Sequence, residues 1–453
     1  MRYLPHNDED IKNMLLEIGV KKVDELYTDV PSKVIKNVKF DLSDHMSEID
    51  VERYMNSLSK KNIAANEVPF FIGGGAYHHH IPAAVDYIIQ RGEFLTSYTP
   101  YQPEISQGTL QSLYEFQSQV AMLTGMEIAN ASMYDGSTAS AEAVLMATRI
   151  TKRGKIVISE GVHPQWIETI QTFINPLNIK LVRIKKPSPG IFEDNLSDIL
   201  NNIDDRTACV VIQNPDFFGS VGDYTKISKK CQEYGALLIV CISEILSLGL
   251  IEPPGNSGAD IVVCEGQSLG VGLSFGGPYV GLFSTHKKYV RHMPGRIAGE
   301  TIDKNGKRGW VLTLNTREQH IRREKATSNI CTNSGLCALA FSVHLSLLGD
   351  TGIRRLSAFN HERANYLYDA IISIKNIEIL NNSFFNEFTI KLPTNADEFV
   401  KYAAEKGVMA GLPISRLASP KFYSKHILLI TSTELNTDMD VSILVKLLED
   451  YCK

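Results

Sequence analysis

The first seventy residues carry apolar side chains at helical spacing between polar stretches. Asn7 is a favoured helix N-cap, apolar residues recur on one face over residues 11–18, and Gly19 is suited to end a helix. Residues 50–62 repeat this pattern. Short amphipathic helices bury one face on a larger body. The pattern therefore predicts an N-terminal helical arm over residues 1–70.

From Phe71 onwards, short β-rich runs alternate with helical stretches such as residues 107–123 and 137–149. Strands that alternate with helices form a mostly parallel sheet covered on both faces. We therefore predict a large α/β domain over residues 71–314. Its candidate strands are residues 155–159, 180–184, 209–213, 237–242, 261–264 and 279–283.

The remainder of the chain, residues 315–453, has a different order of elements. Helical stretches come first, followed by strand-like runs at residues 387–392 and 427–431 and a terminal helix from Asp438. This order predicts a smaller α+β domain at the C-terminus.

Composition narrows the class of protein. The 453 residues are 43% hydrophobic and carry a net charge of -5 without blocks of like charge, which disfavours binding to nucleic acid. The seven cysteines are scattered without a CxxC pair, as expected of reduced thiols. No stretch approaches the ~20 apolar residues of a membrane span. We therefore expect a globular cytoplasmic protein that binds neither nucleic acid nor membrane.

Residues 135–143, DGSTASAEA, place a glycine and two hydroxyl groups just before a helix-forming run. Backbone N–H groups at a helix N-terminus, together with the side chains of Ser137 and Thr138, could bind one phosphate group. Alternatively, Asp135, Ser137 or Thr138 caps the helix and binds nothing. On this segment alone the cap is favoured.

The segment from Gln232 to His286 contains no lysine. Its order of strand, Gly-rich turn and strand nevertheless resembles the cofactor half of a pyridoxal phosphate (PLP) enzyme. Such an enzyme binds PLP through a lysine imine and pairs the ring nitrogen with an acid at a strand end. Here Gln267 stands where the lysine is expected, and no Asp follows Ile242, the nearest acid being Glu244. The residues of this degenerate pocket are Ser137, Thr138, Gln267 and His163, the last in the position of a ring-stacking residue.

Residues 98–108, YTPYQPEISQG, form a second polar segment. Its two prolines favour extended backbone, which would hold polar side chains outward for recognition. The alternative is a stiff connector capped at Ser106. The candidate recognition residues are Tyr98, Thr99, Tyr101, Gln102 and Glu104.

Residues 317–332, REQHIRREKATSNICT, cluster five basic side chains that could bind an anion or a partner. A solvated helix face, with pairs such as Arg317 and Glu318, explains most of these charges equally well.

Residues 71–82, FIGGGAYHHHIP, contain three adjacent histidines, His78, His79 and His80. Adjacent histidines on regular backbone cannot all face one ion, and no acid or cysteine is spaced nearby. We therefore predict no metal site.

Together these motifs resemble the amino-terminal half of the glycine cleavage system P-protein, glycine dehydrogenase (decarboxylating). In some organisms this half is a separate chain, subunit 1 or the alpha subunit. The resemblance covers nearly the whole chain, and motifs of this length are far more specific than a glycine pattern. They are YTPYQPEISQG, LTGMEIANASMYDGSTASAEA, ADIVVCEGQSLG with LSFGGPYVG, and REQHIRREKATSNICT.

The resemblance implies an aspartate-aminotransferase-type PLP fold in which only the carboxyl-terminal half, or subunit 2, carries the PLP lysine. It implies an α2β2 tetramer that decarboxylates glycine on the partner's PLP and passes the aminomethyl group to the lipoyl arm of the H-protein. This chain would then bind no PLP covalently, in agreement with Gln267. Residues 98–104 would form a wall of the shared active site.

Two other hypotheses remain open. The chain could be an independent PLP-dependent aminotransferase or lyase that uses an unrecognised lysine such as Lys325, although the missing acid after Ile242 argues against this. It could also be a regulatory or scaffolding protein that kept the fold and lost the chemistry.

Overall fold

The computed structural model describes residues 6–39, 41–43, 45–417 and 425–452. The chain divides into two compact units, residues 1–63 and 64–453. The α-helices are α1 (Asp8–Ile18), α2 (Ser32–Asn37), α3 (Glu48–Ser59), α4 (Ala83–Ile89), α5 (Gly92–Leu95), α6 (Gln107–Thr124), α7 (Gly136–Thr151), α8 (Pro164–Ile174), α9 (Leu196–Asn201), α10 (Thr225–Tyr234), α11 (Gln319–Arg322), α12 (Gly335–Ile372), α13 (Ala396–Glu405) and α14 (Asp438–Tyr451). The strands are β1 (Ile128–Ala129), β2 (Lys155–Ser159), β3 (Lys180–Ile184), β4 (Thr207–Gln213), β5 (Leu237–Ile242), β6 (Ile261–Glu265), β7 (Gly281–Thr285), β8 (Ile297–Ile302), β9 (Arg308–Thr313), β10 (Glu378–Ile379), β11 (Glu387–Lys391), β12 (Leu412–Pro413) and β13 (Ile427–Thr431).

The first unit contains α1, α2 and α3. Asn7 caps α1 through its side chain, and Gly19 ends the helix in the left-handed conformation with φ 85°, as its lack of a Cβ allows. None of the residues of these three helices is buried. The apolar stripes predicted from the sequence therefore remain accessible on this unit.

A seven-stranded sheet forms the centre of the second unit, in the order β1-β7-β6-β5-β4-β2-β3. The five strands from β6 to β3 are parallel, whereas β7 runs antiparallel to both of its neighbours, β6 and β1. Strands β4, β5 and β6 are buried along their whole length, which explains their near-continuous apolar sequences. The α/β prediction is confirmed. The carboxyl ends of the parallel strands meet at one edge, where ligands bind in sheets of this kind.

Some details of the sequence prediction differ from the structure. Strand β7 begins at Gly281 rather than at Tyr279, because Pro278 has no N–H for the ladder and the N–H of Val280 donates to Glu265 instead. The hairpin of β8 and β9 was missed. Its turn contains Asn305-Gly306, a strong hairpin signal that could have revealed it.

The C-terminal part contains a second sheet, in the order β10-β11-β13-β12, which is antiparallel throughout. Helices α13 and α14 supply buried residues to the apolar core of this sheet. The predicted strands at residues 387–392 and 427–431 correspond to β11 and β13.

Among the described residues, α12 alone is long and apolar enough to span a membrane by length and composition. The expectation that no stretch meets this test was therefore wrong. A single such helix is a weak indication, because the core helix of a globular protein also meets the test. Gly349 interrupts α12 with non-helical backbone, and Phe341 and Ile353 are buried on either side of it.

Candidate functional site

The side chain of Gln267 lies just beyond β6, at the carboxyl edge of the large sheet, and is buried. Its Oε1 accepts a hydrogen bond from the backbone N–H of Tyr77 at 2.8 Å. Its Nε2 donates to the backbone oxygens of Tyr77 and Val271, both at 2.9 Å. The amide in the expected lysine position is therefore fully engaged by the chain itself.

The hydroxyl groups at the start of α7 both turn towards Asp135. Asp135 is the N-cap, and its Oδ1 accepts from the Thr138 backbone N–H at 2.6 Å. The same oxygen accepts from Ser137 Oγ at 3.1 Å and from Thr138 Oγ1 at 2.7 Å. Asp135 therefore caps α7, as in the helix-cap interpretation of this segment, and its carboxylate occupies the hydroxyl groups that a phosphate group would bind.

A buried carboxyl group, Glu265, lies directly over the N-terminus of α7. Its Oε2 accepts from the Gly136 N–H at 2.9 Å, and its Oε1 accepts from the N–H groups of Gln267 and Val280 at 3.2 and 3.3 Å. Burial raises the pKa of Glu265 to about 8 despite these donors. The sequence showed Glu265 at the strand end but gave no sign that it would meet α7.

His163 caps α8 and is buried. Its Nδ1 accepts from the Gln165 N–H at 3.2 Å, so its Nε2 carries the proton and donates to the Gly74 oxygen at 2.8 Å. Burial lowers the pKa of His163 to about 4, and the ring is neutral near pH 7. Both nitrogens are engaged within the chain.

Tyr77 also lies at this edge of the sheet and is one of the largest fully buried side chains, at 0% exposure. Its hydroxyl donates to Glu387 Oε1 at 2.7 Å and lies 3.3 Å from Ser243 Oγ. Burial first, and then the charges of Glu387 and Glu244, raise the pKa of Tyr77 well above 10.0. Burial also raises the pKa of Glu387, to about 7.

His79 lies between two carboxylates that are distant in sequence. Its Nε2 is 2.9 Å from Glu244 Oε2, and its Nδ1 is 2.8 Å from Glu434 Oε2. Burial alone would lower the pKa of His79, but the two carboxylates raise it to about 10. Neither partner is spaced near His79 in the sequence, because both come from other elements of the fold. In the described parts of the chain, no three His, Cys, Asp or Glu side chains are arranged so that they could hold a metal ion.

The missing imine lysine is not replaced by Lys325, Lys287, Lys288 or Lys186. Lys325 is exposed in a short turn. Lys287 and Lys288 follow β7, which runs antiparallel to β6 and so delivers them to the opposite edge of the sheet. Lys186 follows β3 at the carboxyl edge and is buried, but its Nζ pairs with Asp216 at 3.0 Å beside a cavity of only about 10 Å³.

The second polar segment, residues 98–104, lies on the surface. Tyr98 is 83% exposed, and Gln102 and Glu104 are also exposed. The Tyr101 hydroxyl accepts a hydrogen bond from Arg296 Nη2 at 2.8 Å. The ring of His320 meets the Tyr101 ring edge-on, with the centroids 5.4 Å apart.

Arg296, which was not predicted from the sequence, links Tyr101 to Glu318. It is buried at 3% exposure, pairs with Glu318 Oε2 at 3.0 Å and lies over the Tyr101 ring. Glu318 thus forms its ion pair with Arg296, although its charge also acts on Arg317. Arg317 instead donates to backbone oxygens, including that of Gly295 at 3.3 Å.

The two polar segments singled out from the sequence thus lie side by side. Tyr98 and Thr99 line one side of a cavity of about 200 Å³, and Thr332 and Asn333 line another. Gln107 fixes the segment, because its amide donates to the oxygens of Pro103 and Trp310. We define the exposed face as residues 98–104, 317–320 and 332–333 together with the buried Arg296.

The architecture defines a class of protein. The chain is similar to the solved structure of a C-DES mutant with glycine covalently linked to the PLP cofactor, at a TM-score of 0.59 and 16% identity, with 85% of this chain and 97% of that one covered. At this identity the likeness shows the fold alone, which is that of the PLP-dependent transferases.

More similar proteins identify the family. The family model for the glycine cleavage system P-protein matches residues 1–448. A probable glycine dehydrogenase (decarboxylating) subunit 1 of Azorhizobium caulinodans is 57% identical, with 97% of each chain covered. A crystal structure of glycine decarboxylase (P-protein) of the glycine cleavage system, in inhibitor-bound form, has a TM-score of 0.89 and 37% identity over 99% of this chain and 100% of that one. The chain belongs to the glycine cleavage system P-protein family.

Proposed function

We propose that this chain is the subunit of a two-chain glycine decarboxylase that takes no PLP of its own. With subunit 2 in an α2β2 tetramer it decarboxylates glycine and transfers the aminomethyl group to the lipoyl arm of the H-protein. The PLP on the partner subunit supplies the electron sink for loss of CO2. The single observation that carries the proposal is Gln267, whose amide groups are bound to the backbone of Tyr77 where a lysine would be needed.

The exposed face is the proposed wall of the shared active site. Because the Tyr101 hydroxyl accepts from Arg296, its own proton is directed elsewhere and can donate to a carboxylate such as that of glycine. Glu318 compensates the charge of Arg296, so Tyr101 is positioned without an uncompensated buried cation. Tyr98, Thr99, Gln102 and Glu104 supply further polar groups beside it.

The cytoplasm is the proposed location. The net charge of -5 is spread along the chain, and Cys209, Cys241 and Cys264 are buried free thiols within the central strands. Such cysteines suit a reducing compartment.

Reconstitution tests the proposal. The chain and its subunit 2 are purified separately and together, and release of CO2 from carboxyl-labelled glycine is measured with lipoylated H-protein. We expect sustained activity from the mixture and from neither chain alone. A stable mixed complex on gel filtration should accompany the activity. Sustained decarboxylation by this chain alone would contradict the proposal.

A further inference from the structure

We propose that this chain fills its own cofactor pocket. The side chain of Tyr77 and the carboxyl group of Glu265 occupy the space that a PLP ring and its phosphate group need. The filling segment, residues 71–79, also connects the four-stranded sheet, here called the small sheet, to the seven-stranded large sheet. This inference rests on the proposed function and deepens it, because it states why the pocket accepts no cofactor of this class.

The filling segment contacts three positions that a bound ring would use. The Gly74 oxygen accepts from the His163 ring at 2.8 Å, and the backbone of Tyr77 is paired with Gln267. The Tyr77 hydroxyl lies 3.3 Å from Ser243 Oγ, one residue beyond β5. A ring placed between the stacking histidine and these strand ends would have to displace this backbone.

The phosphate position is filled separately. The N–H of Gly136 is bound to Glu265, and the N–H of Thr138 is bound to Asp135. The hydroxyl groups of Ser137 and Thr138 also donate to Asp135. A phosphate group here would find these donors already bound to two carboxyl groups, and the negative charge of Asp135 would repel it. The residues present therefore do not fit PLP.

The same segment bonds to the small sheet. The Gly74 N–H donates to Glu387 Oε2 at 2.9 Å, and Thr431 Oγ1 donates to the same oxygen at 3.0 Å. A Cβ on Gly73 would lie 1.9 Å from Thr431 Oγ1, so only glycine permits this close approach. His79 extends the tie, since it joins Glu244 at the end of β5 to Glu434 beyond β13.

The first test uses the complex of this chain with subunit 2 after borohydride reduction, which fixes PLP on its lysine and blocks that site. The complex is titrated calorimetrically with 4-deoxypyridoxine 5′-phosphate, a probe that has the ring and phosphate but no aldehyde. We expect no saturable binding. One equivalent of probe bound per copy of this chain would overturn the inference and leave the proposed function standing. A reduced PLP adduct on this chain, seen by intact mass, would instead overturn the proposed function.

The second test removes the internal occupant. Tyr77→Ala opens a space of the shape of phenol, which reproduces the deleted ring and hydroxyl group. We expect phenol to raise the Tm of the Tyr77→Ala complex by about 2–8 °C, as a ligand bound only by the folded state does. The wild type and Tyr77→Phe, which keep the ring, should show no shift, and neither should Tyr87→Ala at an exposed tyrosine. A Tyr77→Ala complex that folds but is not stabilised by phenol would contradict the inference. If this variant does not fold, the wild-type titration decides.

Discussion

The buried carboxyl edge of the large sheet and the exposed face use similar residue types in opposite ways. At the buried edge, Tyr77, His163 and Gln267 all bond to the chain itself. On the exposed face, Tyr98 is 83% exposed, while Tyr101 is held in place by Arg296 from below. A buried polar group whose hydrogen bonds are all made within the chain stabilises the fold. An exposed polar group that is positioned by one such bond can still bind a partner. The residues of the degenerate pocket are therefore engaged by the chain itself.

The largest expected effect comes from removing the ion pairs of His79 with Glu244 and Glu434. His79→Ala leaves Glu244 and Glu434 buried without the imidazolium between them. Removing one member of a buried ionic group costs about 3–5 kcal/mol. We expect a loss of that order in the free energy of unfolding, measured by urea denaturation. The matched control is His80→Ala, whose side chain is exposed and should cost less than about 0.5 kcal/mol. Equal losses from the two variants would refute the assigned role of His79.

The pH dependence of the unfolding free energies of the wild type and His79→Ala tests whether His79 is charged in the fold. Burial lowers the pKa of His79, but the carboxylates Glu244 and Glu434 outweigh it and raise this pKa from 6.5 to about 10. Burial and the charge of His79 in turn lower the pKa values of His78 and His344. A raised histidine pKa contributes stability that is complete below the unfolded value and lost as the pH rises through the folded one. The gap in unfolding free energy between wild type and His79→Ala should therefore be widest below about pH 6.5 and shrink by several kcal/mol towards pH 10. A gap that does not change with pH would show that His79 is not an imidazolium in the fold.

On the exposed face the expected effect is on activity. Tyr101→Phe keeps the ring over Arg296 but removes the hydroxyl that the face presents. We expect kcat/KM for glycine in the reconstituted complex to fall about tenfold, which corresponds to about 1.4 kcal/mol, the value of one hydrogen bond. The control is Tyr87→Phe, an exposed tyrosine on α4, which should leave the rate unchanged. Unchanged rates in both variants would remove Tyr101 from the active-site wall.

The sequence predicted the sheet well, because β4, β5 and β6 are buried along their whole length and therefore carry apolar runs. It could not predict what fills the carboxyl edge. His79 meets Glu244 across 165 positions and Glu434 across 355. Arg296 likewise reaches Tyr101 across 195 positions. These pairings follow from the packing of the folded chain and leave no local pattern.

The smallest expected effect distinguishes a helix cap from a phosphate site at the start of α7. Ser137→Ala removes one hydrogen bond to Asp135, while the N–H of Thr138 and its hydroxyl still bond to that carboxylate. The loss of stability should be about 0.5 kcal/mol, compared with about 1–2 kcal/mol for Asp135→Ala, which removes the cap itself. Both are measured by urea denaturation, alongside the PLP content and the decarboxylation rate of the reconstituted complex. A cap predicts that neither PLP content nor rate changes in Ser137→Ala. A loss of PLP content with unchanged stability would mean that this hydroxyl holds a phosphate group, and the buried edge would then share the function assigned here to the exposed face.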